Sequence, residues 1–321
     1  MYQHIRANVE SDFEAVNHFI VDQLHSDVPL VENMGHYIVE AGGKRMRPIL
    51  VLLSARSCDF AGNDHIKMAA VIEFIHTATL LHDDVVDMST MRRGRPTANS
   101  QWNNPSSVLV GDFIYSRAFQ ILVSLGNLRI MQIIADTTNK IAEGEVLQLI
   151  SKHNVDITET DYLKVIHNKT AILFQAAAQC GAILANATPK VEEALRLFGL
   201  HVGNAFQLID DVLDYVGDSN AMGKNVGDDL AEGKPTLPLI YAMKNTSKAD
   251  SRLIKDSLKT SGLDTLERII SIVKTSGALD YTRNFAQSEV EKARKCLTDL
   301  PESSFRDALD SMAVLAVQRV S

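Results

Sequence analysis

Ile66-Lys-Met-Ala-Ala-Val-Ile-Glu-Phe-Ile-His-Thr-Ala-Thr-Leu-Leu-His-Asp-Asp-Val-Val-Asp87 runs without glycine or proline from an apolar start to an acidic end. From Ile66 to His82 the apolar residues recur at three- and four-residue spacing on more than one face, the pattern of a buried helix. The most apolar part, Met68 to Leu81, carries Glu73 and His76 and is too short to cross a bilayer. At its end Asp83 and Asp87, four residues apart, project from one helix face. Carboxylates stacked in this way repel each other unless a cation sits between them.

Working outward, Val108–Leu125, Arg129–Leu149, Thr160–Leu184 and Lys190–Val216 read the same way, rich in Ala, Leu, Ile and Gln. Short breaks separate them, and Thr158-x-x-Asp161 forms a capping box with Asp in place of Glu at the start of the fourth helix. Leu237–Met243, Ala249–Thr260, Leu263–Thr275, Leu279–Leu297 and Phe305–Val320 continue the helical pattern. No strand-like alternation persists and no low-complexity linker marks a boundary. The reading is one all-α domain over residues 1–321, with ten or more helices.

Composition agrees. With 17 glycines and 8 prolines in 321 residues, turn-rich strand architectures are disfavoured. A formal charge of -8 argues against a nucleic-acid binder. Cys58, Cys180 and Cys296 form no Cys-x-x-Cys pair, which fits a reducing compartment better than a disulfide framework. The N-terminal residues show no signal-peptide pattern, so a soluble, cytoplasmic protein without membrane spans is expected.

The acidic motif returns as Ile209-Asp-Asp-Val-Leu-Asp-Tyr215, with Asp210 and Asp214 on one face. One acidic triplet is as easily a solvated helix face. Two triplets, each preceded by an apolar run (Ala78-Thr-Leu-Leu81 and Phe206-Gln-Leu-Ile209), imply metal or cationic partners. Hard oxygen donors select magnesium, which takes further ligands from substrate phosphates. Cations lie nearby: Gly42-Gly-Lys-Arg-Met-Arg-Pro48, Met91-Arg-Arg-Gly-Arg95, Lys169, Lys224 and Lys234. Glycine permits close backbone approach, and arginine grips phosphate oxygens bidentately. There is no Gly-x-x-x-x-Gly-Lys-Ser/Thr loop. The combination implies a diphosphate held through bridging metal ions.

These motifs, with Gly223-Lys-Asn-x-x-Asp228-Asp and Glu232-Gly-Lys-Pro-Thr-Leu-Pro238, resemble those of the trans-isoprenyl diphosphate synthases. The resemblance spans about Met34 to Met243. Within that family Gly144-Glu-Val-Leu-Gln148 and Glu73-Phe-Ile-His-Thr-Ala-Thr-Leu-Leu-His-Asp-Asp84 look most like the bacterial octaprenyl branch, which makes the ubiquinone side chain. The resemblance implies the isoprenoid synthase fold, helices around a central cavity, and a homodimer. It also implies elongation of an allylic diphosphate, such as farnesyl diphosphate, with isopentenyl diphosphate.

Carried over by position, Lys44, Arg47, His76 and Arg93 would hold isopentenyl diphosphate. Arg92, Lys169, Thr170, Gln207 and Lys224 would contact the allylic diphosphate. Asp83, Asp87 and Asp210, joined by Asp214 and Asp228 and supported by Asp84, would bind Mg2+; Asp83, Asp87, Lys169 and Asp210 would form the catalytic set. The implied reaction is ionisation, condensation and elimination, and His82 is expected to be structural. Small residues at Ala78 and Thr79 would leave a tunnel open for a long product, with its floor near Phe119 and Leu122.

Other readings are a synthase of different product length, a helical metal-dependent phosphohydrolase, a terpene cyclase, or a non-catalytic partner subunit. A hydrolase needs several histidines at the metal and only His76 is near. A cyclase does not need the Lys44/Arg47/Arg93 cluster, and a partner subunit does not need its aspartates.

Overall fold

α5, Asp64–Val86, is the helix that sets the architecture in the computed structural model, which describes residues 1–216, 227–260 and 263–318. Asp64 in its first turn complements the helix dipole. Met68, Ala69, Val71, Ile72, Phe74, Ile75, Ala78 and Leu81 are buried on it. Each large side chain among them contributes about 1.5–3 kcal/mol by leaving water.

Four helices precede it that hydrophobic periodicity did not single out: α1 (Tyr2–Ala7), α2 (Glu10–Gln23), α3 (Pro29–Glu40) and α4 (Met46–Arg56). Pro48, which looks in the sequence like the end of a basic loop, lies in the first turn of α4. The first α-helical bond there is donated by Ile49 to Arg45, so the missing proline N–H costs nothing.

After α5 comes a two-residue hairpin, β1 (Met91–Arg92) with β2 (Arg95–Pro96), Met91 opposite Pro96. Arg93 and Gly94 at its turn have φ of 52° and 74°, as a two-residue turn of type I′ requires. Two-residue strands show no alternation, so sequence periodicity missed them.

Then follow α6 (Ala98–Gln101), α7 (Asn104–Ser124), α8 (Leu128–Ser151), α9 (Glu159–Ile166), α10 (Ile172–Leu184) and α11 (Pro189–Val216). Asn103 and Asn127 cap α7 and α8 with side-chain oxygens. The capping box at α9 is present, Thr158 and Asp161 each accepting the other's backbone N–H. What reads as one helix from Thr160 to Leu184 is α9 and α10 joined by a π-helical turn, His167–Ala171. Helices Asp228–Ala231, Leu237–Asn245, Lys248–Thr260, Leu266–Thr275, Ala278–Cys296 and Ser304–Val317 complete the described chain. The class is all-α.

One apolar core lies among α2, α4, α5, α7 and α10, and a second among α9, the lower half of α11 and the helices from Leu237 to Cys296. α11 contributes to both, Leu195, Phe198 and Val202 to the first and Leu208, Ile209 and Val212 to the second.

Candidate active site

Between these helices opens a cavity of about 630 Å³. α5 gives it Glu73, His76, Thr79, Leu80, Asp83 and, at the helix end, Asp87; α11 gives it Gln207, Asp210, Asp211 and Asp214. These faces arise from the same four-residue spacing on two helices. Both acidic motifs lie at the C-terminal ends of their helices, where the helix dipole favours cations.

The carboxylates are met by lysines from three other segments. Asp83 Oδ2 lies 3.3 Å from Lys169 Nζ. Asp87 accepts from Lys152, at the end of α8, and from Lys234, each at 2.9 Å. Burial works to raise the Asp87 pKa, but the two ammonium groups prevail and hold it at about 2. Glu145 on α8 is pushed up to about 7 by burial and by the charge of Asp83, which Lys169 offsets only in part.

Asp84, between them in sequence, faces away. It is 1 % exposed, and both its oxygens are gripped by Arg92, at 2.7–3.1 Å. Asp211 is also buried, accepting from Tyr162 Oη at 2.6 Å and Gln207 Nε2 at 2.9 Å. Burial and the charge of Asp229 raise its carboxyl well above the ordinary range. Thr170 donates to Gln207 Oε1 at 2.9 Å, so both ends of the Gln207 amide are fixed.

On the opposite side, Gly43, Lys44, Arg45, Arg47, Glu73, His76 and Arg93 gather. Arg47 stacks over the Phe174 ring, 4.3 Å from its centroid, and its Nη1 is 3.2 Å from His76 Nε2. Arginine can only donate, so Nε2 accepts. Burial, then Arg47, Arg93 and Arg92, push the His76 pKa well down, and the ring is neutral. Arg93 donates to the Gly42 carbonyl. The φ of Gly43 is 139°, so the backbone requires glycine, and a Cβ there would lie 2.7 Å from the Arg93 guanidinium and displace it.

The sequence matches the polyprenyl synthetase family over residues 28–274. It is 51 % identical to octaprenyl diphosphate synthase of Escherichia coli over 309 residues, 96 % of each chain. It is 52 % identical to the geranyl-diphosphate-specific all-trans-nonaprenyl-diphosphate synthase of Rhodobacter capsulatus, over 99 % of this chain and 98 % of that one. The fold is similar to a polyprenyl synthase from Caulobacter crescentus complexed with calcium and isoprenyl diphosphate: TM-score 0.97, 40 % identity, covering 100 % of this chain and 98 % of that one.

The chain belongs to the polyprenyl synthetase family.

Within this synthase, Lys44, Arg47, His76, Asp83, Asp87, Arg92, Arg93, Lys169, Thr170, Gln207, Asp210 and Asp214 all border one cavity. Lys224 lies outside the described residues. Asp228 does not border the cavity, whereas Asp229 does; neighbours on a helix point about 100° apart. The same offset separates Thr79, which lines the cavity, from Ala78, which is 1 % exposed in the core. Phe119 borders a separate recess with Tyr115, Ser116, Gln120 and Val123, and Leu122 is fully buried, so α7 does not form the cavity floor. Instead Phe174, Val202, Phe206, Met312, Leu315 and Ala316 supply apolar wall. Site residues missed from the sequence include Arg45, Glu73, Glu145, Gln148 and Asp229; each stood inside a motif already noticed but was given no role there.

Proposed function

We propose that the synthase joins an allylic prenyl diphosphate to isopentenyl diphosphate with Mg2+, building an all-trans chain of about eight isoprene units for a quinone side chain. One observation carries this reading. A single cavity presents paired carboxylates from α5 and α11 on one side and an arginine-rich pocket around His76 on the other, places for two different diphosphates.

The donor chemistry fits a divalent ion. Asp83 and Asp87 from α5, with Asp210 and Asp214 from α11, are hard oxygen donors, and cationic lysines already lie against the α5 pair. These four aspartates would hold magnesium, with Asp229, which borders the cavity where Asp228 does not, as a further carboxylate. When bound, the metal supplies positive charge against the diphosphate as it departs.

The chain's own groups do the rest. Lys169, Thr170, Gln207 and Arg92 orient the allylic diphosphate and stabilise its growing charge. Asp84 holds Arg92 in place. Lys44, Arg47 and Arg93 hold the second diphosphate, with neutral His76 propping Arg47. Phe174, Val202 and Phe206 keep water from the allylic cation, which the isopentenyl double bond attacks. The proton then lost goes to the released diphosphate. His82 takes no part, since it faces α7 at Val108 and Asp112. The cavity wall carries one histidine among the described residues, which disfavours the hydrolase reading.

Residues 1–321 work as one domain in this reading, because α11 joins both cores. Leu109, Tyr115 and Val123 on α7, with Leu128, Val146, Leu149 and Ile150 on α8, are exposed apolar side chains, which suit a homodimer interface. Among the described residues no helix is long and apolar enough to cross a membrane, and a cytoplasmic site of action is proposed. The test is incubation of purified protein with farnesyl diphosphate, isopentenyl diphosphate and Mg2+, followed by product chromatography. Octaprenyl diphosphate is expected, abolished by chelator. A nine-unit product would favour the second reading, suggested by the 52 % identity to the Rhodobacter enzyme. No prenyl transfer would overturn both.

A further inference from the structure

Lys169 is restrained more tightly than a phosphate-binding lysine needs to be. Its ammonium has three donors and three carboxyl or amide oxygens around it: Glu145 Oε2 at 2.7 Å, Gln148 Oε1 at 2.6 Å and Asp83 Oδ2 at 3.3 Å. The two short contacts come from one face of α8, three residues apart. The long one comes from α5.

Two backbone features make this arrangement possible. Lys169 is the middle residue of the π-helical turn, a wider turn that shifts the helical register locally. Lys169 and Thr170, adjacent in sequence, both border the cavity. Opposite the turn stands Gly144, where a Cβ would come within 2.7 Å of the Lys169 backbone nitrogen and 2.9 Å of Asn168. Only glycine lets α8 lie close enough for Glu145 and Gln148 to reach the ammonium.

We infer that Glu145 and Gln148 are positioning residues for Lys169, fixing two of its donors and aiming the third at the Asp83 edge of the cavity. A carboxylate beside a diphosphate subsite repels the substrate unless it is tied to a cation, and the 2.7 Å contact is that tie. This rests on the proposal that Lys169 contacts the allylic diphosphate.

The test is steady-state kinetics with both substrates on Glu145→Ala, Glu145→Gln, Lys169→Met and the Glu145→Ala/Lys169→Met double variant. Glu145→Ala is expected to lower kcat/KM for the allylic substrate by about ten- to a hundredfold, the scale of one charge-assisted hydrogen bond. KM for isopentenyl diphosphate should stay within about twofold, and in the Lys169→Met background Glu145→Ala should add less than about twofold. Glu145→Gln, whose amide oxygen still accepts from the ammonium, should restore most of the loss. The same full loss in both backgrounds, or equal losses on the two substrates, overturns the inference while leaving the synthase reading intact. Lys169→Met with unchanged allylic kinetics overturns the inference together with the role given to Lys169. Should Glu145→Ala not fold, Gln148→Leu tests the same seat by the same comparison.

Discussion

Asp83 and Asp84 are neighbours of identical chemistry with opposite surroundings. Asp83 borders the cavity beside Lys169, and Asp84 is buried against Arg92. Asp83→Ala should therefore lower turnover by at least about a thousandfold, the several kcal/mol of leaving-group stabilisation a metal ligand carries, with little change in thermal melting. Asp84→Ala should instead destabilise the fold by about 2–3 kcal/mol, less than the full cost of breaking a buried pair because Arg92 is partly exposed. Parallel assays and melts on the two variants check the contrast. Arg93→Ala should raise KM for isopentenyl diphosphate by about ten- to a hundredfold through loss of one charged phosphate contact, with the allylic KM little changed. Equal effects on both would show the two diphosphate places wrongly apportioned. At this scale the sequence was legible wherever spacing implies direction. Asp83 and Asp87 share a face because four residues nearly complete a turn. It could not separate Asp228 from Asp229, since that depends on where a helix of four residues begins.

Secondary-structure elements were legible according to their length. α5, α7, α8 and α11 carry enough turns for periodicity to emerge, whereas the hairpin at 91–96 and the π turn at 167–171 are short departures from regularity that composition does not mark. α11 is also tied to helix Ala278–Cys296 by a buried ionic group. Glu289 accepts from His201 and Asn204 on α11, at 2.8 and 3.0 Å, and from Lys292 at 2.6 Å. Burial opposes its ionisation, yet these three partners hold its pKa at about 2, against an ordinary 4.5. The unfolded chain then binds the extra proton first. The contribution is complete above the ordinary value and is lost as pH falls from there through about 2. Glu289→Gln should reduce stability at neutral pH by about 2–3 kcal/mol and flatten the acid limb of the stability profile between about pH 4.5 and 2. Denaturant melts at several pH values measure both, and an unchanged limb would reject the coupling.

For the whole molecule, the fold class and the convergence of both aspartate motifs on one cavity could be read in advance, because each motif ends a long buried helix. The path of the product could not, because it depends on which side chains of packed helices face inward. The cavity of about 630 Å³ falls in the range of small-ligand sites, about 300–1,000 Å³, and Thr79 is on its wall one turn below Asp83. Thr79→Phe should shorten the main product while the first condensation survives. Ala78→Phe, in the packed core, should cost about 1–3 kcal/mol of stability by overpacking without a matching change in chain length. Product chromatography beside thermal melts separates the two positions.

Asp87 has a consequence in time. Its two lysines lie 65 and 147 residues further along the chain, and Gly233, beside Lys234, accepts the backbone N–H of His153, beside Lys152. Contacts that close such long loops form late in folding, after local helices have already been rewarded. The catalytic corner is held by a few polar contacts rather than by apolar packing, so it is expected to form late and to loosen first. Hydrogen exchange should show this order in the resting enzyme: the backbone amides of His153, Gly233 and Lys234 exchanging well ahead of those in α10, where Leu173, Phe174 and Ala177 are buried. Exchange at the core rate would mean that the corner opens only when the whole molecule unfolds.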